Sequence, residues 1–181
     1  MPQPIYQPEQ DSYLLEKEIK QYIKDLDNKN IKVLDMGSGS GIQAKACIKS
    51  GIKQVLAVDI NPLAIKHLKK QKLRTQESNL FSKIKGKFDL IIFNAPYLPE
   101  HENEKGWDTT AGKKGYEIIT KFLKQSTKHL NKQGTILLLF SNLSKPNIIK
   151  KHATQLKYKY KKLSEKGMGF FEKLYVYEFK L

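Results

Sequence analysis

The sequence predicts an α/β fold: a mostly parallel sheet with helices on both faces and an antiparallel addition at one edge. Three observations carry this. Short apolar runs alternate with segments of helical periodicity over most of the chain, the pattern of strand–helix–strand units. The runs Leu90-Ile91-Ile92-Phe93 and Ile136-Leu137-Leu138-Leu139-Phe140 are continuously apolar, as strands buried on both faces are. Near the carboxyl end two extended stretches follow one another with no helix between them, which adds an antiparallel pair.

Taken in order, residues 1 to 10 are polar and proline-punctuated and read as an extended arm. A helix begins at Gln10-Asp11-Ser12, with Asp11 or Ser12 expected as N-cap. Tyr13, Leu14, Ile19, Tyr22, Ile23 and Leu26 recur at helical spacing until the turn Asp27-Asn28-Lys29-Asn30. A first strand over 31 to 35 leads into a glycine-rich loop over 36 to 41 and a helix over 42 to 50, stopped by Gly51. A second strand covers 55 to 59. The next helix, 61 to 71, has Pro62 in its first turn, where a missing N–H costs nothing.

A short third strand is expected over 73 to 78 and a fourth over 88 to 94. A polar loop with the single tryptophan, Trp107, leads to an amphipathic helix over 116 to 130 that ends at Asn131-Lys132-Gln133-Gly134. A fifth strand over 135 to 140, a helix over 145 to 155, and strands over 158 to 163 and 174 to 179 complete the chain. The hairpin between the last two carries Gly167 and Gly169. No repeat or linker interrupts residues 1 to 181, so a single domain with seven strands is expected.

Composition bounds the function. With 39% hydrophobic and 28% charged residues, the chain reads as soluble and globular, and its longest apolar run is far too short to span a bilayer. No secretory signal is visible at Met1-Pro2-Gln3-Pro4. One cysteine, Cys47, excludes an internal disulfide and a cysteine-based zinc site within the chain. A cytoplasmic protein without a bound metal or a membrane is the expectation. The net charge of +15 would attract phosphate. Nearly all of it is lysine, with Arg74 the one arginine, whereas bidentate phosphate and base contacts favour arginine. RNA or ribosome contact therefore stays open.

Val33-Leu34-Asp35-Met36-Gly37-Ser38-Gly39-Ser40-Gly41 sits between a strand and a helix. Glycines there let the backbone turn sharply and approach a ligand, and the following helix offers free N–H groups. Asp59 ends the next strand, about 20 residues on, where a ribose-binding acid belongs. A nucleoside cofactor follows. A dinucleotide fingerprint would need its third glycine at 42, where Ile42 stands. The acid-x-Gly-x-Gly-x-Gly spacing resembles the loop of Rossmann-like S-adenosylmethionine-dependent methyltransferases. That resemblance implies that Gly37, Ser38, Gly39 and Gly41 line the donor, Asp35 supports the loop, and Asp59 with Ile60 meets the ribose. It also sets Asn79, with Leu80, at the adenine.

At the end of the fourth strand, Asn94-Ala95-Pro96-Tyr97 resembles the Asn-Pro-Pro-Tyr motif of amino-group methyltransferases. A planar amide or exocyclic nitrogen is a poor nucleophile. Two acceptors aimed at its hydrogens, the Asn94 side-chain oxygen and the Ala95 carbonyl, would fix its plane, with Tyr97 stacked on it and Pro96 stiffening the turn. Catalysis then rests on alignment and preorganised dipoles. Ala95 departs from the usual proline and loosens the loop.

Tyr6-Gln7-Pro8-Glu9-Gln10-Asp11-Ser12-Tyr13-Leu14-Leu15 resembles the opening of the short HemK-like protein-glutamine N5-methyltransferases of archaea and eukaryotes. Those enzymes modify the Gly-Gly-Gln loop of the class I release factor. The resemblance implies that residues 1 to 28 close over the donor, which adds Tyr6, Pro8, Asp11 and Ser12 to its neighbours, and Asn94 touches it as well. Trp107 and Ala111-Gly112-Lys113-Lys114-Gly115 match a Trp-x-Gly-Gly-x-x-Gly stretch of that branch imperfectly. The branch pairs with a small zinc-binding activator at a sheet edge, so a heterodimer is expected. An RNA methyltransferase acting on adenine N6 or guanine N2 would use the same Asn94 and Tyr97. A catalytically silent scaffold of the same fold is the non-enzymatic alternative.

Overall fold

The computed structural model describes residues 4–97, 114–169 and 171–181. Five helices, α1 (Gln10–Lys24), α2 (Ile42–Lys49), α3 (Pro62–Lys70), α4 (Glu117–Ser126) and α5 (Pro146–Gln155), surround seven strands. The strands are β1 (Lys32–Met36), β2 (Gln54–Asp59), β3 (Thr75–Glu77), β4 (Phe88–Asn94), β5 (Leu130–Ser141), β6 (Lys159–Met168) and β7 (Glu172–Lys180). They form one sheet in the order β3-β2-β1-β4-β5-β7-β6. The first five are parallel, and β7 runs antiparallel to both β5 and β6. The expected α/β Rossmann-like architecture, with its antiparallel edge, is what the chain adopts.

Period-2 alternation on the central strands divides the core in two. Leu90 and Ile92 of β4 face α1, α2 and α3, packing with Leu15, Ile19, Ala44 and Leu68. Ile91 and Phe93 face the other way, onto Phe122 of α4 and Ile149 of α5. Asn94 continues the parity of Leu90 and Ile92, so it projects towards the side that holds α1. Each fully buried side chain of this kind contributes roughly 1.5–3 kcal/mol relative to exposure, and the central strands contain almost nothing else.

Element limits differ from expectation in several places. The turn expected at 131–134 lies inside β5, which begins at Leu130 and pairs there with Phe88 before the register shifts to Leu90–Thr135. Burial of Leu130 outweighs the turn composition, and it folds back over Gly134, where a Cβ would lie only 2.8 Å from its side chain. The helix α4 consequently stops at Ser126, whose hydroxyl meets the Tyr158 hydroxyl at 2.9 Å. The third strand shrinks to three residues, the last two strands run longer than their apolar stretches, and a 3-10 turn (Asn142–Ser144) precedes α5. Gly167 belongs to β6. The motif at Trp107 and 111–113 lies outside the described residues, and Lys114 and Gly115 form a turn before α4. Among the described residues, no helix is long and apolar enough to cross a membrane, and no group of His, Cys, Asp and Glu side chains is placed to hold a metal ion.

Candidate active site

The carboxyl ends of β1, β2 and β4 open onto a cavity of about 750 Å³, within the usual size range of small-molecule sites. This is where an open α/β sheet binds ligands. Gly37 and Gly39 line one wall, with positive φ of 65° and 50°, backbone that L-residues seldom adopt. A Cβ on Gly37 would press to 3.2 Å on the Phe93 ring. Ser38 ties this loop to β2: its hydroxyl donates to the Asp35 carbonyl at 2.8 Å and accepts from Val58 N–H at 3.1 Å.

Asp59 stands on the cavity wall and braces the loop from the second strand. One oxygen accepts from Gly39 N–H and the other from Asn61 N–H, both at 2.8 Å. A carboxylate on the wall at the end of the second strand is an acceptor of the kind a ribose hydroxyl needs. Ile60, Asn79 and Leu80 line the same cavity. Asp35, by contrast, is fully buried behind the loop and accepts from Ala44 N–H of α2 at 3.0 Å. Burial raises its carboxyl to about 7, partly offset by that N–H.

The acceptor side gathers four chain segments. Asn94, Ala95, Pro96 and Tyr97 all line the cavity. Asn94 donates through Nδ2 to Asp11 Oδ2 at 2.8 Å, and Asp11 also accepts from the Tyr6 hydroxyl at 3.0 Å and from Ser12 N–H at 2.5 Å. A carboxylate only accepts. The Asn94 amide must therefore turn its nitrogen to Asp11, which leaves Oδ1 buried with no hydrogen-bond partner among the described residues. Burial first, then the Asp11, Glu172 and Glu9 carboxylates, push the Tyr97 phenol well above its ordinary value. Burial and then Asp11 do the same to Tyr6. The Tyr97 carbonyl accepts from the Ser144 hydroxyl at 2.9 Å, which anchors the turn.

Several expectations need correcting. The N-cap of α1 is Glu9 and no side chain caps it, because Asp11 is drawn inward to Asn94. Ser12 is buried and off the cavity wall, with its carbonyl accepting from Gln43 Nε2 at 2.9 Å. Pro8, Ser38 and Gly41 are not on the cavity wall either, and Asp35, expected to support the loop, lies behind it. Gly41 has φ +83° and packs under α3, with an added Cβ 2.6 Å from Leu68. Wall residues that sequence reasoning missed include Pro4, Ile5, Asn61, Phe93, Ile118 and Lys121. Asn61 carried a signal, the Asn-Pro pair that starts α3, whose side chain accepts from Leu63 N–H. Ile118 and Lys121 carried none.

With this geometry in view, comparison with known proteins is decisive. Residues 15–163 match the methyltransferase small domain. The chain belongs to that family. It is 40% identical over 151 residues, 77% of the chain and 74% of the relative, to a Methanocaldococcus jannaschii protein named "Putative protein N5-glutamine methyltransferase". It is 33% identical over 139 residues to ribosomal RNA small subunit methyltransferase C of Haemophilus influenzae, covering 72% of the chain but only 39% of that enzyme's length. In structure it resembles the Mtq2-Trm112 complex of E. cuniculi, described as methylating the eRF1 translation termination factor. The TM-score is 0.79 over 97% of this chain and 98% of that one, at 21% identity. The chain is thus a methyltransferase of the S-adenosylmethionine-dependent class, and the cavity suits that donor: a glycine-lined wall, a carboxylate on the next strand, and nucleoside-sized room.

Proposed function

We propose that this methyltransferase modifies the side-chain amide nitrogen of a protein glutamine, in the Gly-Gly-Gln loop of a class I release factor. The reading rests on one observation: Asp11 holds the amide of Asn94, a cavity-lining residue, so that its buried Oδ1 is left without a partner among the described residues. A buried acceptor left unmade costs roughly 1–3 kcal/mol, so the site is built to receive an N–H. Bound S-adenosylmethionine supplies an electrophilic methyl group on a sulfonium. Asn94 Oδ1 accepts one hydrogen of the planar amide and the Ala95 carbonyl accepts the other. Tyr97 covers its face. Together they keep the nitrogen lone pair in line with the methyl carbon, and the nitrogen releases its extra proton to solvent after transfer. Gly37, Gly39, Asp59, Ile60, Asn79 and Leu80 hold the donor, and residues 4–6 close over it.

Electrostatics supports protein over nucleic acid at the reacting atoms. The Asp11, Glu172 and Glu9 carboxylates act on Tyr97 in a chain of net charge +15, while Lys121 stands elsewhere on the cavity wall. Negative charge beside the Tyr97 ring favours a neutral side chain over a phosphodiester at that point. The relatives add to this, since the M. jannaschii protein is named for glutamine N5 and the E. cuniculi complex for a termination factor. An RNA amino group is the second reading, favoured by the kinship with an rRNA methyltransferase. A small zinc-binding partner would fit the outer edge of β3, a three-residue strand at the end of the sheet, since an edge strand can take up a further strand.

The test offers radiolabelled donor with release factor and with total RNA, with and without a co-expressed partner. Label in the release factor, lost when its glutamine is replaced, is the expected result. Label in RNA alone would replace this reading by the second.

A further inference from the structure

The positive charge is not spread evenly. Between residues 142 and 164 there are seven lysines and no aspartate or glutamate, so nearly half of the net charge of +15 sits in 23 residues. These residues build α5 and most of β6, at the far edge of the sheet from β3. Lysines on an edge strand deter unwanted strand pairing, which accounts for Lys159 and Lys161 but not for what lies on the opposite face. There the three pairs of a lysine ammonium over a tyrosine ring found among the described residues fall in one stripe. Lys145 lies 5.9 Å from the Tyr116 ring centre, Lys162 lies 5.6 Å from Tyr175, and Lys150 lies 5.4 Å from Tyr177.

The stripe starts at the reaction site. Lys145 follows Ser144, which holds the Tyr97 carbonyl, and Tyr116 precedes α4, whose Ile118 and Lys121 line the cavity. Register carries it outward: Tyr175 pairs with Phe140 and Tyr177 with Leu138, each step further from the end of β5 that meets the cavity. Tyr160 closes it, 37% exposed, with its ring 5.8 Å from Phe179 and 6.3 Å from Tyr177. Two acids among the described residues meet the stripe: Glu165 pairs with Lys162, and the Glu117 carboxylate accepts from Tyr116 N–H at 3.1 Å.

We propose that this stripe binds single-stranded nucleic acid, its lysines neutralising phosphates and the exposed Tyr160 ring stacking a base, while Tyr177 is buried beneath Lys150 and only seats that ammonium. Ammonium groups set beside the partly exposed Tyr116, Tyr175 and Tyr160 rings are what a flexible polyanion of planar bases requires. The absence of arginine argues for sequence-tolerant backbone contact rather than base reading. The stripe lies beside the reaction site, so it is a docking track that positions the enzyme on a nucleic-acid scaffold.

The test is fluorescence anisotropy of the full chain, without methyl donor, against labelled oligo-U and oligo-dT across a salt series. Three phosphate contacts on a single strand give a log–log salt slope of about 2. K145Q/K150Q/K162Q should weaken binding at least tenfold and remove most of that slope. K66Q/K69Q/K70Q on α3, with the same charge change, should stay within about twofold. Tyr160→Ala should weaken binding several-fold with the slope unchanged, because a ring displaces no counterion. Preference for U or for dT identifies the source as RNA or DNA. Thermal melting reports folding, and the three single Lys→Gln variants, each lowering the slope by about 0.7, replace the triple if it unfolds. Equal losses in the two triples, equal affinity for duplex, or no binding by the unaltered chain would overturn the proposal. None of these readouts depends on which polymer is methylated.

Discussion

Asn94 and Asp11 are 83 residues apart in sequence and 2.8 Å apart in space, with the amide nitrogen of one donating to the carboxylate of the other. The contact joins the first turn of α1 to the end of β4 and decides which atom of Asn94 is offered to an acceptor. If Oδ1 holds the reacting amide, Asn94→Ala should leave donor affinity within about threefold and lower the rate of transfer by about 10² or more. Asp11→Asn lets the amide sit either way round, so it should lower the rate by about tenfold while donor binding persists. The double variant should be no slower than Asn94→Ala alone, because the two act as a unit. Calorimetry with donor and radiolabel transfer measure both quantities. Additive losses would show that Asp11 works independently of Asn94.

Asp59 has a different task, since its two oxygens hold Gly39 and Asn61 N–H groups at 2.8 Å each. Asp59→Ala would remove both acceptors and the expected ribose contact together. Donor binding should weaken by about 30-fold or more, with a fall of about 1–3 kcal/mol in stability from the freed loop. Asp59→Asn keeps one acceptor oxygen and should lie between the two. Calorimetry with urea denaturation separates the effects. Unchanged donor affinity in Asp59→Ala would remove this residue from the donor site.

These predictions show what could be read in the sequence and what could not. Asn94 to Tyr97 and the glycine loop were legible because chemistry and strand position coincide in consecutive residues. The tie between Asp11 and Asn94 was not, because a short helix-opening acid looks like a cap and nothing local marks a distant partner. Gly41 fitted the spacing of the loop but points away from the cavity, since its left-handed turn is needed to bring α2 under Leu68. The lower half of β5 was hidden by Asn131 to Gly134, whose turn-forming composition yields to the burial of Leu130. The length of β6 was hidden by lysines, which an edge strand tolerates because one side faces solvent.

Asp35 gives a pH dependence with a definite sign. Its carboxyl is raised from 3.8 to about 7 by burial, so between those values the folded chain holds a proton that the unfolded chain has released. Stability should therefore fall as pH rises from about 4 to about 7, by at most about 1.4 kcal/mol per unit from this group, and level off above. Asp35→Asn keeps an acceptor for Ala44 N–H and cannot ionise, so its slope in this window should be smaller than that of the unaltered chain. Urea denaturation at several pH values compares the two. Parallel curves would mean that Asp35 does not carry the dependence.

Gly41 and Gly86 provide a matched pair, with φ of 83° and 84°. Alanine at either position meets the same backbone strain, about 1–2 kcal/mol. Around Gly86 an added Cβ meets nothing within 4 Å, whereas at Gly41 it would lie 2.6 Å from Leu68 Cδ2 and 3.1 Å from Leu73 Cδ1. Leu68 is fully buried in the core under α3, so it can yield only by disturbing its neighbours, a further cost of about 1–3 kcal/mol. Gly41→Ala should thus destabilise the chain by that much more than Gly86→Ala, measured by urea or thermal denaturation. Donor affinity, tested on whatever fraction stays folded, should change little in Gly86→Ala and fall in Gly41→Ala, because α2 and the loop before it would shift together. Equal destabilisation by the two substitutions would mean that Leu68 moves aside freely and that Gly41 serves the turn alone.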